Sequence, residues 1–283
     1  APLPTVAGIA EGWHLCPVHD RLAFSKWEGA GNDFIVIDDP ERTLAEGLGP
    51  AIGRLCDRHF GIGSDGILLI QPAIDEKLDF EVDFINPDGS RSFCGNGSRC
   101  AFGHWAGQVT GRDTACFRAI DGIHEAAWLG KEVAISMLGT EAPERIREDV
   151  DQLHTGSPHL ICWVDDLDGL DLRAQAHLWR YGPRYASAGI NVNFVRSEGG
   201  RLFMRTYERG VEDETLSCGT GVTAAALSAL HRGLAKGRVS VRTRGGNLQV
   251  EASLDPDGRA SGIRLIGPVR HVFSGTFEPS NFL

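Results

Sequence analysis

No stretch of the sequence reaches the roughly 18 consecutive apolar residues that a membrane-spanning helix needs, and no tract of clustered Lys or Arg is present. With 28 basic residues against 38 acidic ones the formal charge is -10. The basic footprint that binds nucleic acid or an anionic membrane is therefore missing, and a small-molecule partner is expected. The first twenty residues carry no basic segment ahead of an apolar stretch, so a cytoplasmic protein is expected. There is no C-x-x-C pair, and the closest spacing, Cys94 to Cys100, has no matching second pair, which argues against a structural zinc site. Seven cysteines are an odd number in a chain long enough to fold without staples. That argues against a disulfide framework and leaves at least one thiol free. Cys16, Cys56, Cys116 and Cys162 are read as small buried apolar residues. With 42% apolar residues in 283, the chain can fill one large core or two medium ones.

What the sequence does contain is a repeat of itself. Gly29–Asp39 aligns with Gly156–Asp166, each an apolar strand ending in an acidic turn. Gly63–Leu69 aligns with Gly189–Val195 as loop into strand, and Phe80–Asn86 with Leu202–Glu208 as strand ending in a polar residue. Cys94–Ala101 then aligns with Cys218–Ala225. The four matches are collinear with nearly constant offset, which an unrelated chain does not give readily. Each half runs strand, Gly-rich loop, strand, strand, C-G-x-G and helix. Ser98 to Trp105 and Thr223 to Leu230 are the helical stretches, being small or apolar and free of Pro. Short strands outnumber helices, so the expected fold class is α+β: two pseudo-symmetric domains, each a mixed or antiparallel sheet wrapped around a central helix. Pro143, in the polar stretch Glu141 to Asp151, marks the expected linker. The tail Gly267 to Phe277 reads as a strand without a place in the second half and is assigned back to the first. The expected domains are thus residues 21–140 plus 270–283 and residues 141–269, with 1–20 unassigned.

A cysteine at a helix start sits among unpaired N–H groups and a partial positive charge, which favour its thiolate. Glycines beside it let a ligand approach the backbone, whose free N–H groups hold a carboxylate. One C-G-x-G is better explained by a tight strand-to-helix connection. Two copies in duplicated halves bring Cys94 and Cys218 to a shared cleft from opposite sides. That geometry suits inversion at carbon, where a thiolate removes a proton from one face and a thiol delivers another to the opposite face without an imine cofactor. Asn32 and His159 are counterparts in the repeat, as are Asn86 and Glu208. His159 and Glu208, near strand ends, are placed to hydrogen-bond a catalytic thiol, and Arg209 to pair with a substrate carboxylate. The plainer readings stay open: a satisfied strand-end histidine, a solvated Glu208-Arg209 turn, and turn asparagines at 32, 86 and 191. Asp213-Glu214 is read as a solvated turn.

The sequence resembles the diaminopimelate epimerases, from about Phe24 to Phe277. The resemblance rests on G-A-G-N-D-F at Gly29, D-R-H-F-G-I-G-S-D-G at Asp57, N-P-D-G-S at Asn86 and C-G-N-G-S-R-C at Cys94. It continues through S-P-H at Ser157, I-N-V-N-F-V at Ile190, Y-E-R-G at Tyr207 and E-T-L-S-C-G-T-G ending at Gly221. It implies cofactor- and metal-independent epimerisation of LL-diaminopimelate to the meso form, for lysine and cell-wall synthesis, with Cys94 and Cys218 as the acid/base pair assisted by His159 and Glu208. It further implies that Asn32, Asn86, Asn191 and Arg209 hold the substrate and that Gly95-Asn96 and Gly219-Thr220 cradle the reacting carboxylate. Two domains closing over the substrate and a homodimer are implied too. Gly66 stands where some members carry a substrate-contacting glutamine, and Ser157, counted with the substrate-binding set, where many carry asparagine. Contacts to the distal end of the substrate are therefore not carried over. Asn86 to Cys94 is one residue shorter than the family spacing and Arg209 to Cys218 one longer, both in loops, where indels are tolerated. The alternatives are a racemase of another amino acid such as histidine or proline on the same fold, a redox or metal-binding thiol protein, and a noncatalytic binding module.

Overall fold

The computed structural model describes residues 21–282; the 1–20 extension and Cys16 lie outside the described residues. The first half opens with β1 (Leu22–Gly29) antiparallel to β2 (Asn32–Asp38). Two short helices, α1 (Leu44–Gly47) and α2 (Ile52–Cys56), carry the chain across to β3 (Gly66–Gln71), which lies parallel to β2. Both strands are near-continuous apolar runs, the pattern of a strand covered on both faces. β4 (Phe80–Ile85) returns antiparallel to β3, and the long helix α3 (Gly95–Gln108) crosses to β5 (Thr114–Ala119), parallel to β4. β6 (Gly122–Leu129) and β7 (Glu132–Ser136) complete an antiparallel meander.

The second half repeats this plan. The hairpin β8 (Glu144–Arg147) and β9 (Val150–His154) leads into β10 (Pro158–Trp163), and α4 (Leu172–Arg180) crosses to the parallel strand β11 (Asn191–Glu198). β12 (Arg201–Glu208) pairs antiparallel with β11 and with the short β13 (Asp213–Thr215). Helix α5 (Gly219–His231) then crosses to β14 (Val239–Arg242), parallel to β12, and β15 (Asn247–Leu254) and β16 (Ala260–Pro268) close the meander. The last strand, β17 (Arg270–Phe277), runs antiparallel along β1, with Leu22 opposite Phe277.

Strand register follows the sequence repeat. Ala115 faces Ala126 as Val239 faces Val250, the spacing that separates the two C-G-x-G turns. In the next ladder Ala126 faces Ile135 as Val250 faces Leu265. Ile135 and Leu265 are thus counterparts, and they are also each other's partners where β7 meets β16. The pseudo-two-fold axis runs between them, and the halves share a continuous ladder there.

The sheets wrap the two long helices so fully that α3 is buried from Gly95 to His104 and α5 from Gly219 to Ala229. Such helices are rich in small residues because the strands must approach from every side. One core cluster surrounds both helices; two smaller ones lie on the outer sheet faces beneath α1–α2 and beneath α4. Among the described residues no helix is long and apolar enough to cross a membrane.

Three local expectations are corrected. The stretch Glu141 to Asp151, read as a linker, folds into β8 and the start of β9, pinned by Arg145 Nε donating to Asp151 Oδ1 at 2.9 Å. Asp213-Glu214, read as a solvated turn, forms β13, and Glu214 receives a two-pronged pair from Arg205 at 2.8 Å. Cys116 is half-exposed, whereas Cys56 and Cys162 are buried.

Candidate active site

Cys94 and Cys218 are the N-cap residues of α3 and α5, with φ/ψ of -130/107° and -120/110°. Extended dihedrals at the cap turn each side chain toward the first turn of its helix, where the backbone N–H groups have no intrahelical acceptor. The two helix starts abut across the pseudo-two-fold axis. A Cβ on Gly95 would stand 3.9 Å from Gly219 Cα and 2.8 Å from Leu265 Cδ2, and one on Gly219 would stand 3.3 Å from Asn96 N. A side chain at either place would press on Leu265, and one at 219 on Asn96 of the opposing helix as well.

Asn96 ties this junction together. Its Nδ2 donates to Asn32 Oδ1 and to the Ser217 carbonyl, both at 3.3 Å, while its Oδ1 accepts from Arg99 Nη2 at 2.9 Å. Arg99 is fully buried and, among the described residues, forms no ion pair. Its guanidinium lies where Gly29 and Gly267 lack side chains, 3.4 and 3.3 Å from where their Cβ atoms would be.

Around Cys94, the Gly97 N–H donates to Sγ at 3.3 Å, and Sγ donates to Asn32 Oδ1 at 3.6 Å. Asn32 Nδ2 in turn donates to Asp65 Oδ2 at 2.5 Å, and Arg58 bridges Asp65 and Asp33. Around Cys218, the Thr220 hydroxyl lies 3.4 Å from Sγ. Burial pushes both thiols up, Cys94 to about 12, with the charge of Glu208 adding to the rise at each sulfur; backbone N–H groups, and Thr220 at Cys218, act the other way. The Glu208 carboxyl is itself raised by burial, with the Thr215 hydroxyl opposing and the charge of Asp65 adding to the shift. Two thiols and a carboxyl thus share one desolvated space in which their charges are felt mutually.

His159 touches neither sulfur, which corrects the expectation that it hydrogen-bonds a thiol. Its Nε2 meets Thr220 Oγ1 at 2.9 Å, and Thr220 stands between it and Cys218. Burial, reinforced by the charges of His154 and Arg209, pushes His159 down to about 3, so the ring is neutral. Asn191 spends its amide within the protein. Nδ2 donates to Ser157 Oγ at 2.7 Å and to the Pro158 carbonyl at 3.0 Å, and Oδ1 accepts from Arg209 N at 2.9 Å. Asn191 and Ser157 therefore position Arg209, whose exposed guanidinium donates from Nη1 to the Ala188 carbonyl at 3.0 Å. Asn86 is bound within its own turn, donating to Ser90 and Ser92, and its amide reaches none of the residues around the sulfurs.

Of the expected residues, the structure gathers Cys94, Cys218, Asn32, Asn96, Gly95, Gly219, Thr220 and Glu208 about the two helix starts. His159, Asn191 and Ser157 stand one step behind, and Arg209 lies at the exposed side. Three contributors had no expected role: Asp65, Arg99 and the buried Asn193, whose Nδ2 donates to His159 Nδ1 at 3.1 Å. A surface concavity of about 510 Å³ lies elsewhere, lined by Thr114, Cys116, Glu125 and Arg264. Among the described residues no cluster of three or more metal-ligating side chains is present.

Known proteins resemble the chain along most of its length. The family model described as diaminopimelate epimerase matches residues 24–142 and 152–272. The diaminopimelate epimerase of Flavobacterium psychrophilum is 38% identical over 256 residues, 89% of this chain and 98% of that protein. The one from Methanocella arvoryzae is 36% identical over 283 residues, 91% of this chain and 97% of that protein. Among solved structures, a hydroxyproline epimerase from Agrobacterium vitis with bound trans-4-hydroxy-L-proline superposes with a TM-score of 0.66 at 16% identity, covering 91% of this chain and 92% of its own. A phenazine biosynthesis protein of Bacillus anthracis gives 0.67 at 12% identity, covering 91% and 99%. Identities that low speak for the fold alone, whereas the family model and the sequence relatives span both halves and both cysteine turns: the chain belongs to the diaminopimelate epimerase family.

Proposed function

We propose that the protein inverts one α-carbon of LL-2,6-diaminopimelate to give the meso form, using Cys94 and Cys218 as a two-thiol acid/base pair without a cofactor. The observation that carries the reading is the junction itself: two cysteine-capped helix starts meeting across a pseudo-two-fold axis, with Glu208 acting on both sulfurs. One sulfur, as thiolate, takes the α-proton from one face while the other, as thiol, delivers its proton to the opposite face. The pair ends with its protons exchanged, and nothing else is consumed. Charge that builds on the substrate carboxylate in between is held by the free N–H groups of Gly95, Asn96, Gly219 and Thr220, which lie in a dry environment where such dipoles act strongly. Arg209 offers a fork to a carboxylate of the substrate. The product serves lysine and cell-wall synthesis, and the family likeness further supports a cytoplasmic homodimer.

A second reading, a racemase of another amino acid, is favoured by Gly66 and Ser157, which depart from the family pattern. The test is to incubate the purified, reduced protein with LL-diaminopimelate, and in parallel with proline and histidine, in deuterated water. Deuterium is expected at the inverted α-carbon of diaminopimelate without pyridoxal phosphate or metal, and neither Cys94→Ala nor Cys218→Ala should turn over. Normal turnover by either variant overturns the two-thiol mechanism; exchange confined to proline or histidine selects the second reading.

A further inference from the structure

Glu212, in the turn that follows Glu208 and Arg209, holds a φ of 57°. A side chain of that size rarely adopts this backbone, which persists only where the surroundings over-determine it. Here the glutamate's own carboxylate does so. Its Oε1 accepts from Arg180 Nε at 3.1 Å, from Arg180 Nη2 at 2.7 Å and from the Gly210 N–H at 3.3 Å. Its Oε2 accepts from the Tyr181 hydroxyl at 3.1 Å and from that of the fully buried Tyr207 at 3.3 Å. A carboxylate only accepts, so Tyr207 spends its hydroxyl hydrogen there and takes one in turn from His177 Nε2 at 3.1 Å. Arg180 ends α4, Tyr181 is its C-cap and His177 lies one turn earlier, so the whole C-terminal end of that helix is tied to this one side chain.

The turn itself is held from two sides. The Glu212 N–H donates to the Glu208 carbonyl at 2.8 Å and closes it, while the Gly210 N–H is taken by the Glu212 carboxylate. Between them, Arg209 N donates to Asn191 Oδ1 of β11 at 2.9 Å. Arg173, in the first turn of α4, donates to the neighbouring Asp213 at 2.6 Å, but that carboxylate meets no amide of the turn. Glu212 also sorts the charges. A Cβ on Gly189 would stand 2.5 Å from Arg209 Cδ and 3.3 Å from Arg180 Cζ, so both arginine side chains pass the same glycine. Glu212 neutralises Arg180, whereas Arg209, among the described residues, has no carboxylate partner and keeps its charge for a ligand. Burial alone would lift the Glu212 carboxyl, but the hydrogen bonds from Arg180, Gly210 and Tyr181 and the charge of Arg180 more than offset it, so it lies below its usual value.

We infer that Glu212 is a positioning residue: its carboxylate clamps the Glu208–Arg209 turn to the C-terminal end of α4, so that Arg209 meets a substrate carboxylate, and Glu208 the two sulfurs, from fixed places. The inference rests on the function proposed above and adds a residue to it. Glu212 acts through the turn, because its oxygens are spent on Arg180, Gly210, Tyr181 and Tyr207. A turn that only joined β12 to β13 would be served as well by glycine, which adopts a φ of 57° without cost.

Steady-state epimerisation of LL-diaminopimelate by the whole protein tests the clamp. Glu212→Gly relaxes the backbone and removes the carboxylate; KM should rise about tenfold and kcat fall about tenfold, as expected when hydrogen bonds to a charged group are lost. Glu212→Gln keeps an oxygen for Arg180 and Gly210 without the charge and should restore part of both, leaving KM about threefold above the parent value. Partial unfolding lowers kcat at unchanged KM, so the rise in KM is what a merely structural role would not produce. Asp213→Asn, which loosens α4 without touching the turn's amides, should leave KM and kcat as they are. Hydrogen exchange read by mass spectrometry follows the same contact without substrate: the peptide spanning 207–213 should exchange about tenfold faster in Glu212→Gly and at an intermediate rate in Glu212→Gln. If Glu212→Gly fails to fold, Glu212→Gln decides alone. An unchanged KM, exchange indifferent to Glu212, or an equal rise in KM for Asp213→Asn overturns the inference. The two claims fail separately: epimerisation with KM indifferent to Glu212 sinks the clamp alone, and no epimerisation by the parent protein with exchange that follows Glu212 sinks the function alone.

Discussion

Glu208 is the residue whose charge both sulfurs feel, and that makes its role separable from substrate binding. Its negative charge holds back ionisation of Cys94 and of Cys218, so Glu208→Gln should let the thiolate form at lower pH. The limb of the kcat/KM profile that reports thiolate formation is expected to move to the acid side, while kcat falls on the order of a hundredfold with KM little changed. A raised KM with an unmoved limb would make Glu208 a substrate clamp. The reactive residues were legible because cysteine, histidine and glutamate stand at repeated positions beside glycines. Asn193 and Asp65 were not, since each acts by orienting another side chain and neither is reactive. A signal for Asn193 was present: it follows Asn191 by two residues, so an apolar strand carries two polar side chains on one face. Only the partners on β10 and β12 show that the first positions Arg209 and the second His159.

At the scale of elements, the long helices were legible from their starts and their small residues, whereas the short strands that brace them were not. β8 and β13 are polar segments that pair because arginines hold their carboxylates, and no apolar pattern announces that. The brace at the far end of α5 is Asp151 on β9. Its carboxylate accepts from Ser228 of α5 and from Arg232, the C-cap of that helix, at 2.5 Å each, and from Arg145 of β8 at 2.9 Å. Burial alone would lift its pKa, but the hydrogen bonds from Arg232 and Ser228 and the charges of Arg232 and Arg145 more than offset it, so the carboxyl lies below its usual value. A depressed carboxyl contributes stability that is full above its unfolded pKa, near 3.9, and is lost as the pH falls through the folded one. Asp151→Asn should therefore cost about 3 kcal/mol in urea unfolding at neutral pH. The gap to the parent protein should close below about pH 4. A gap that stays constant down to acid pH would mean that the carboxylate's charge does not brace α5.

The duplication was legible at the scale of the whole molecule because glycines and cysteines mark equivalent turns. The seam was not: Ile135 and Leu265 are ordinary strand residues, and their equivalence emerges only from the ladders on either side. The halves also meet at a second place. Gly245, in the turn between β14 and β15, lies against the Ala30 carbonyl in the β1–β2 turn, and a Cβ there would collide with that oxygen and stand 2.7 Å from the carbonyl carbon. Backbone cannot yield as a side-chain tip can, and Ala30 already holds a φ of 54°. An alanine at 245 must push the β1–β2 turn away from the second half, and that turn delivers Asn32 to Cys94. Displacements of about 1 Å at a reacting group cost on the order of a hundredfold in rate, and forced overpacking about 2 kcal/mol. Gly245→Ala should thus lose about a hundredfold in kcat/KM and about 2 kcal/mol in urea unfolding. Gly107→Ala, in α3 with open space where its Cβ would go, should keep full activity and gain up to about 1 kcal/mol. A fully active Gly245→Ala protein would mean that the two halves do not need this contact to hold Asn32 in place, leaving the β7–β16 seam and the abutting helix starts to fix the distance between the sulfurs.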